Sequence, residues 1–288
     1  LAAGGMCAVS LVFLLFIASP VQAALGMTGL LLTELGLLAL ALGGAKLLGE
    51  PLRTVFPLAR PRLRPTAGAV VLWLGIYAPV LLVAILMQLL LPQHTAEVST
   101  SITGLISTVP LWLRFLIVAV SPAICEEAVY RGFILHHLGV LPPWARVLLC
   151  GVLFGVFHLD VTRFGSTALL GVALSWAAVC TGNLFYPALI HLCNNSVSVL
   201  ATVALEMAAE AAPEAVATGA EAAAAVTPAT LGVYFLLCAP SPWLLWAGTA
   251  LLQTDAPRRP GRAKRACLCL VLTLALLAAG FALILSQG

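Results

Sequence analysis

The segment AICEEAVYRGF, residues 123–133, concentrates charge in a chain that is otherwise almost uncharged. Glu127 and Arg131 stand four residues apart with the acid nearer the N-terminus, the favourable orientation for a helical ion pair. Glu126 projects about 100° away around the same helix, close to Tyr130, and has no basic partner nearby in the sequence. An unpaired carboxylate in a poorly solvated position is the kind of group that serves as a general base.

A histidine follows in the segment GVLFGVFHLD, residues 151–160. His158 falls on the same helical stripe as Gly151, Phe154 and Gly155. Because small residues let a neighbouring helix approach closely, that stripe predicts that His158 faces the interior of a helix bundle.

A third polar group lies in FYPALIHLCNNSVSV, residues 185–199. His191 and Asn195 are four residues apart on one helical face, with Asn194 beside them. With Glu126 and His158 they supply a base, two imidazoles and carboxamides, which are groups that orient a water and bind an oxyanion. No nucleophile stands out, so the pattern favours hydrolysis of an amide bond by activated water, within or beside a membrane.

The sequence lacks the residues that zinc, serine and aspartyl intramembrane proteases require. The chain has no HExxH sequence for zinc and no GxSxG serine motif. Its aspartates near apolar segments are Asp160 and Asp255, both at segment edges. Its eight cysteines form no CxxC pair, so they indicate neither a zinc site nor a disulfide framework.

Two non-hydrolytic functions fit some of the same residues. A proton-coupled transporter could use Glu126 and the histidines as a relay; it would predict repeated hydropathy halves, and the polar motifs have no second copy. A non-catalytic immunity or binding protein could keep these residues for structure alone, since a single intramembrane histidine or Glu–Arg pair is more often structural.

The elements that position these residues follow from composition. The chain is 62% hydrophobic and 9% charged, against about 25% charged residues in an average globular protein. A bilayer core needs roughly 20 apolar residues per helix, and backbone groups in lipid must be satisfied internally. We therefore expect an all-α, polytopic membrane protein of 8–9 transmembrane helices, with spans near residues 6–24, 27–48, 67–91, 108–125, 144–161, 164–182, 185–205, 229–253 and 266–285.

Basic residues give the orientation. They crowd two connections, 46–64 and 258–265, and the positive-inside rule places both on the cytoplasmic side. The positive charge is therefore topological, and we expect no nucleic-acid partner. Six predicted spans lie between the two connections, so both can share one side.

Four regions divide the chain. Residues 1–66 hold N-terminal helices and a basic cytoplasmic loop, 67–205 a core with the polar motifs, 206–228 an acidic, Ala-rich, non-cytoplasmic loop, and 229–288 the C-terminal helices. The first apolar segment is read as a membrane helix, although it is similar to a signal peptide that lacks a positive n-region.

Three motifs carry a family resemblance. Glu126-Glu127-Ala-Val-Tyr-Arg131 resembles EExxxR, Phe154-Gly-Val-Phe-His158 resembles FxxxH, and His191-Leu-Cys-Asn-Asn195 resembles HxxxN of the CAAX prenyl protease and bacteriocin-processing (CPBP, or Abi) family of intramembrane endopeptidases. The resemblance covers roughly residues 110–205, in the family's motif order and spacing.

The resemblance implies a glutamic protease. Glu126 would activate water with help from His158, His191 and Asn195 would bind the developing oxyanion, and Glu127 and Arg131 would hold the helix, with Tyr130 and Asn194 in support. We expect no cofactor, since no compact zinc-ligand spacing occurs; a metal-dependent enzyme is the less favoured alternative.

The expected partners are the lipid bilayer and a membrane-associated protein or peptide substrate. The Ala/Leu/Gly/Arg-rich composition is typical of bacteria, which places the chain in an inner (plasma) membrane, with the active site opening toward the cytoplasm. The sequence gives no indication of the oligomeric state. The expected depths of Glu126 and His158 in the membrane do not match. Glu126 is expected near the cytoplasmic end of its helix, whereas His158, twelve residues after Arg146, lies about 18 Å along its own helix.

Overall fold

The computed structural model describes residues 1–214, 226–253 and 261–286, and this part of the chain is helical without β-strands. Besides one short turn, Leu52–Val55, the helices in chain order are α1 (Ala2–Leu25), α2 (Met27–Leu47), α3 (Leu63–Leu90), α4 (Pro92–Ile106), α5 (111–137), α6 (Pro143–Val156), α7 (Val161–Thr181), α8 (Phe185–Ala211), α9 (Pro228–Leu252, broken near Pro240) and α10 (Arg262–Leu285).

Seven helices of the described residues are long and apolar enough to cross a membrane: α1, α2, α3, α7, α8, α9 and α10. The all-α, polytopic class predicted from composition is confirmed. The predicted count of eight or nine is not, because α6 has only 14 residues and α5 carries four charged side chains. The expected spans otherwise agree with the helices to within a few residues.

The largest boundary error concerns α5. The sequence predicted a span over 108–125 that ends before the paired glutamates, but the helix continues to His137. Charge normally ends a membrane span, whereas here Glu127 and Arg131 pair inside the protein and the helix runs on, for about 40 Å at 1.5 Å per residue. Glu126 therefore lies in the interior of its helix instead of at its end.

Two further boundaries differ from expectation. Helix α4 was not predicted because its sequence, PQHTAEVSTSITGLI, is too polar to be read as a span. Helix α8 continues past residue 205 to Ala211, into the predicted acidic loop. Residues 215–225 of that loop lie outside the described residues.

Glycines set the closest helix contacts around the site. A Cβ atom on Gly151 of α6 would lie 2.5 Å from Val172 Cγ2, and one on Gly171 of α7 would lie 2.9 Å from the carbonyl oxygen of Gly151. The small residues let α6 and α7 approach at the distances of backbone contact. The predicted glycine stripe beside His158 is therefore a helix-packing face.

The two ends of the bundle differ in charge. At one end, Asn183 donates to the carbonyl of Ala59 (3.1 Å) and Arg64 donates to the carbonyl of Ala250 (3.3 Å), so both basic connections share this end, as the even number of spans predicted. Arg258 and Arg259 lie outside the described residues. At the other end, α4 meets the α6–α7 turn, where His94 Nε2 is 3.8 Å from Asp160 Oδ1.

Candidate active site

The predicted ion pair of α5 is present and fully enclosed. Glu127 Oε1 accepts a hydrogen bond from Arg131 Nη1 at 2.8 Å, and both side chains are nearly inaccessible. Arg131 also donates to Ser175 Oγ (3.3 Å) and to the carbonyl of Gly171 (3.0 Å) on α7. Its guanidinium stacks 4.4 Å from the ring centre of Phe154. The pair thus fastens α5 to α7 and α6.

Glu127 has a second contact that the sequence did not predict. His191 Nδ1, on α8, lies 2.9 Å from the same Glu127 Oε1. A ring nitrogen beside a carboxylate carries the hydrogen, so Glu127 fixes the tautomer and the orientation of His191. The opposite nitrogen of that ring, Nε2, then faces Glu126 Oε2 at 3.8 Å.

Glu126 differs from its neighbour. The Oε2 atoms of both glutamates are buried without a hydrogen bond, but Glu127 has two contacts on Oε1, whereas Glu126 accepts no hydrogen bond from the described residues. Instead the side chain lines a cavity of about 390 Å³. The sequence predicted no basic partner nearby in the chain, and the basic side chains that approach Glu126 come from other helices, His191 at 3.8 Å and Arg163.

The cavity collects most of the predicted site residues. Glu126, Tyr130, His158, His191, Asn194 and Asn195 all line it, whereas Glu127 and Arg131 lie behind its wall. Tyr130 is buried, with its ring edge-on to Phe154 at 5.0 Å and to Phe157 at 5.9 Å. It forms an aromatic floor beneath Glu126.

His158 stands in the turn between α6 and α7. Its Nδ1 lies 2.7 Å from the carbonyl oxygen of Phe154 and donates to it, which leaves Nε2 of the neutral ring as an acceptor. The next residue, Leu159, has a φ of +53°, which a leucine rarely adopts. This reversal of the chain keeps His158 at the cavity wall, and strained backbone of this kind clusters at functional sites.

Asn195 donates a hydrogen bond to a backbone carbonyl of α5 that lacks its usual helical donor. Pro122 has no N–H, so the carbonyl of Val118 lacks its usual helical donor. Asn195 Nδ2 fills that place at 2.9 Å, and Asn194 Nδ2 donates to Asn195 Oδ1 at 3.2 Å. One N–H of the Asn195 amide remains available at the cavity.

The depth mismatch of the sequence prediction narrows to about 6 Å with the longer α5. Measured from the end with the basic connections, Glu126 is eleven residues before the end of α5, or about 16 Å deep. His158 is fifteen residues past the start of α6, or about 22 Å deep. The misplaced end of the fourth span caused most of the discrepancy.

The rim of the cavity lies away from the basic connections. Its exposed lining residues are Ile102 on α4, Arg163 on α7 and Ser198 on α8, while the lining toward the basic end is buried. The predicted opening toward the cytoplasm rested on Glu126 lying near the basic end; which side of the membrane the cavity faces stays a prediction.

Sequence reasoning missed the wall that the first two helices contribute. Gln22, Thr33 and Glu34 line the cavity, and Glu34 is only 3% exposed. A single glutamate in the middle of an apolar helix is a signal for function in itself, and it was overlooked because Glu34 stands outside the three motifs.

The sequence predicts that the site holds no metal ion. Among residues 1–214, 226–253 and 261–286, no three His, Cys, Asp or Glu side chains cluster closely enough to hold an ion. The metal-free mechanism nevertheless stays a prediction.

The part of the chain that carries this site matches a known protein family. Residues 108–197 match the family described as Rce1-like, type II CAAX prenyl endopeptidase. The match contains all three motifs and confirms the predicted resemblance to the CPBP family. No curated protein and no solved structure matched the chain. The matched segment is therefore similar to a type II CAAX prenyl endopeptidase, and the seven apolar helices indicate an integral membrane protein.

Proposed function

We propose that the protein is an intramembrane endopeptidase that hydrolyses a peptide bond with water activated by Glu126. The observation that carries this proposal is the Glu126 carboxylate itself. Its side chain is 17% exposed, its Oε2 atom is buried without a hydrogen-bond partner among the described residues, and it lines a cavity together with two histidines. Leaving such a group unsatisfied is costly in a fold, so its retention points to chemistry.

In the proposed reaction, Glu126 accepts a proton from water while the water oxygen bonds to the carbonyl carbon of the substrate. The Nε2 of His158 accepts a hydrogen bond from the water's other O–H and orients the water, a role that the Nδ1 contact with Phe154 favours. Glu126 then passes its proton to the amide nitrogen as the C–N bond breaks. The products are a carboxylic acid and an amine, which become a carboxylate and an ammonium by proton exchange, and the Glu126 carboxylate is regenerated.

His191 stabilises the negative oxygen that forms on the carbonyl. The Glu127 carboxylate, 2.9 Å from Nδ1, holds the ring so that Nε2 faces the cavity, and the ring donates to the oxyanion when Nε2 also carries a hydrogen. The free N–H of Asn195 is the second donor. Two donors fixed in a poorly hydrated site stabilise an oxyanion far better than they would in water.

The substrate is a membrane-associated protein or peptide, and no cofactor takes part. The cavity volume of about 390 Å³ falls within the range of about 300–1,000 Å³ typical of ligand clefts. With the basic connections in the cytoplasm of a bacterial plasma membrane, the rim at Ile102 and Ser198 faces the opposite side.

That orientation has a direct test. A membrane-impermeant maleimide should label Ile102→Cys in intact cells, and Leu58→Cys, which is exposed at the basic end, only in inverted vesicles. The parent chain with its eight cysteines supplies the background. Labelling of Leu58→Cys in intact cells would reverse the assignment.

The proposed chemistry is tested by comparing protein termini in membranes that carry the parent chain or Glu126→Gln. Loss of a defined processed terminus with Glu126→Gln is the expected result, and purified parent protein should restore that cleavage in proteoliposomes. An exposed glutamate on α4, Glu97→Gln, is the matched control and should process normally.

Two other outcomes would replace the proposal. Unchanged termini together with a changed proton or solute flux would make the protein a transporter. Unchanged termini together with full protection against a toxin by Glu126→Gln would make it a binding protein.

A further inference from the structure

The cavity holds a second acid that the proposed reaction does not use. Glu34 lies in the middle of α2, outside the family match over residues 108–197. It is 3% exposed, lines the cavity together with Glu126, and is close enough for the two charges to interact.

Glu34 has no partner of its own among the described residues. Its Oε2 atom is buried without a hydrogen bond. The polar neighbours on the same wall satisfy each other, since Gln22 Nε2 donates to Thr33 Oγ1 (2.9 Å) and Thr33 Oγ1 donates to the carbonyl of Gly29 (3.0 Å). Glu34 is the group left over on this wall.

The basic residues near the cavity are engaged elsewhere. Arg131 is bonded to Glu127, and Arg114 to Glu206 at 2.6 Å. Arg163, in the first turn of α7, interacts with Glu126 and Asp160. In so apolar a place the Glu34 carboxyl group ionises only beside a positive partner or hydrogen-bond donors, and the described chain supplies none.

We propose that Glu34 binds a positively charged side chain, lysine or arginine, of the peptide substrate close to the bond that is cleaved. This inference rests on the proposed function, because it assigns part of the same cavity to substrate selection. A guanidinium or ammonium group would form a charge-assisted hydrogen bond with the Glu34 carboxylate. Since an extended chain advances about 3.3 Å per residue, the proximity of Glu34 to Glu126 places the selected residue next to the scissile bond or a few residues from it.

The experiment measures binding in a background that cannot cleave. Fluorescent peptides that differ only by arginine or its neutral isostere citrulline, at each position of one scanning set, are titrated against Glu126→Gln in detergent or nanodiscs. We expect at least one position where arginine binds about tenfold more tightly than citrulline. Adding Glu34→Gln should reduce that ratio to about one, whereas adding Glu97→Gln should leave it unchanged.

The outcomes separate this inference from the proposed function. If peptides bind without any arginine preference, or if Glu34→Gln weakens arginine and citrulline peptides equally, the charge-selecting role is wrong even if the parent protein cleaves peptides. If the preference is present but the parent protein cleaves nothing, the proposed hydrolysis fails and the binding site stands. Should Glu34→Gln not fold, the arginine–citrulline ratio in the Glu126→Gln background still decides, because a ratio of one there overturns the proposal.

Discussion

The two sides of residues 126–131 differ in whether their charged side chains are paired. Behind the cavity wall, Glu127, Arg131 and His191 form one bonded group, with contacts of 2.8 and 2.9 Å. Glu127 Oε1 has both of these contacts and only its Oε2 is left unbonded, whereas on the cavity side neither Glu126 nor Glu34 accepts a hydrogen bond from the described residues. The paired side holds three helices together, and the unpaired side keeps reactive groups available.

The comparison explains why two adjacent glutamates are needed. A buried charge is tolerated when it is paired and hydrogen-bonded, and it is costly when it is not. Glu127 meets that condition through Arg131 and also orients His191 toward Glu126. A single glutamate could not both neutralise the arginine and remain free to take a proton from water.

The largest expected effect comes from breaking the paired side. Arg131→Ala leaves the Glu127 carboxylate buried without its cation and removes the donors to Ser175 and Gly171. Loss of one partner of a buried ion pair costs about 3–5 kcal/mol. We expect a strongly reduced yield of monodisperse protein and a lower thermal midpoint in detergent, together with loss of cleavage.

The control for Arg131→Ala is Arg53→Ala, since Arg53 is an exposed arginine at the basic end. It should fold and melt like the parent chain. If Arg131→Ala were as stable as Arg53→Ala, the distinction between a structural and a reactive side would be lost.

A smaller, mixed effect is expected for Glu127→Gln. The amide oxygen still accepts a hydrogen bond, but the buried Arg131 loses its counter-charge and His191 loses the carboxylate that fixes its tautomer. We expect a destabilisation of roughly 1–3 kcal/mol, the cost of an unsatisfied buried group. Cleavage should fall about 10²-fold or more, as for loss of an oxyanion donor.

The informative measurement is the pair Glu127→Gln and Glu126→Gln in one thermal-melting and cleavage assay. Glu126→Gln should lose cleavage while it melts close to the parent chain. If both variants melt alike and lose activity alike, the two glutamates share one role, and the division between them is wrong.

The same comparison shows what the sequence could and could not predict. The membrane class, the helix stripes and the Glu127–Arg131 pair follow from periodicity and spacing, which act locally. The bond from Glu127 to His191 joins residues 64 positions apart, and no local pattern specifies it. The position of Glu126 within α5 was missed because a hydropathy scale counts each charged residue as a break in a span. It does not take into account that Glu127 and Arg131 neutralise each other inside the protein.

Glu34 and α4 were missed for different physical reasons. Glu34 is one acid in an apolar helix, and its function depends on which cavity the bundle forms around it. Helix α4 is polar and lies at the cavity rim, where neither span length nor apolar periodicity marks it. Both belong to the walls that enclose a substrate, which are fixed by tertiary packing.

The smallest expected effect comes from a second ion pair of α5. Arg114 Nη1 lies 2.6 Å from Glu206 Oε2, shorter than the Glu127–Arg131 contact, yet the two side chains keep 11% and 31% of their surface exposed. Partly solvated pairs contribute about 0–1 kcal/mol. Arg114 also retains its bonds to the carbonyls of Val109 and Ser107, so Glu206→Gln should shift the thermal midpoint only slightly and leave cleavage intact. If Glu206→Gln instead destabilised the protein as much as Arg131→Ala, contact distance and not burial would set the strength of these pairs.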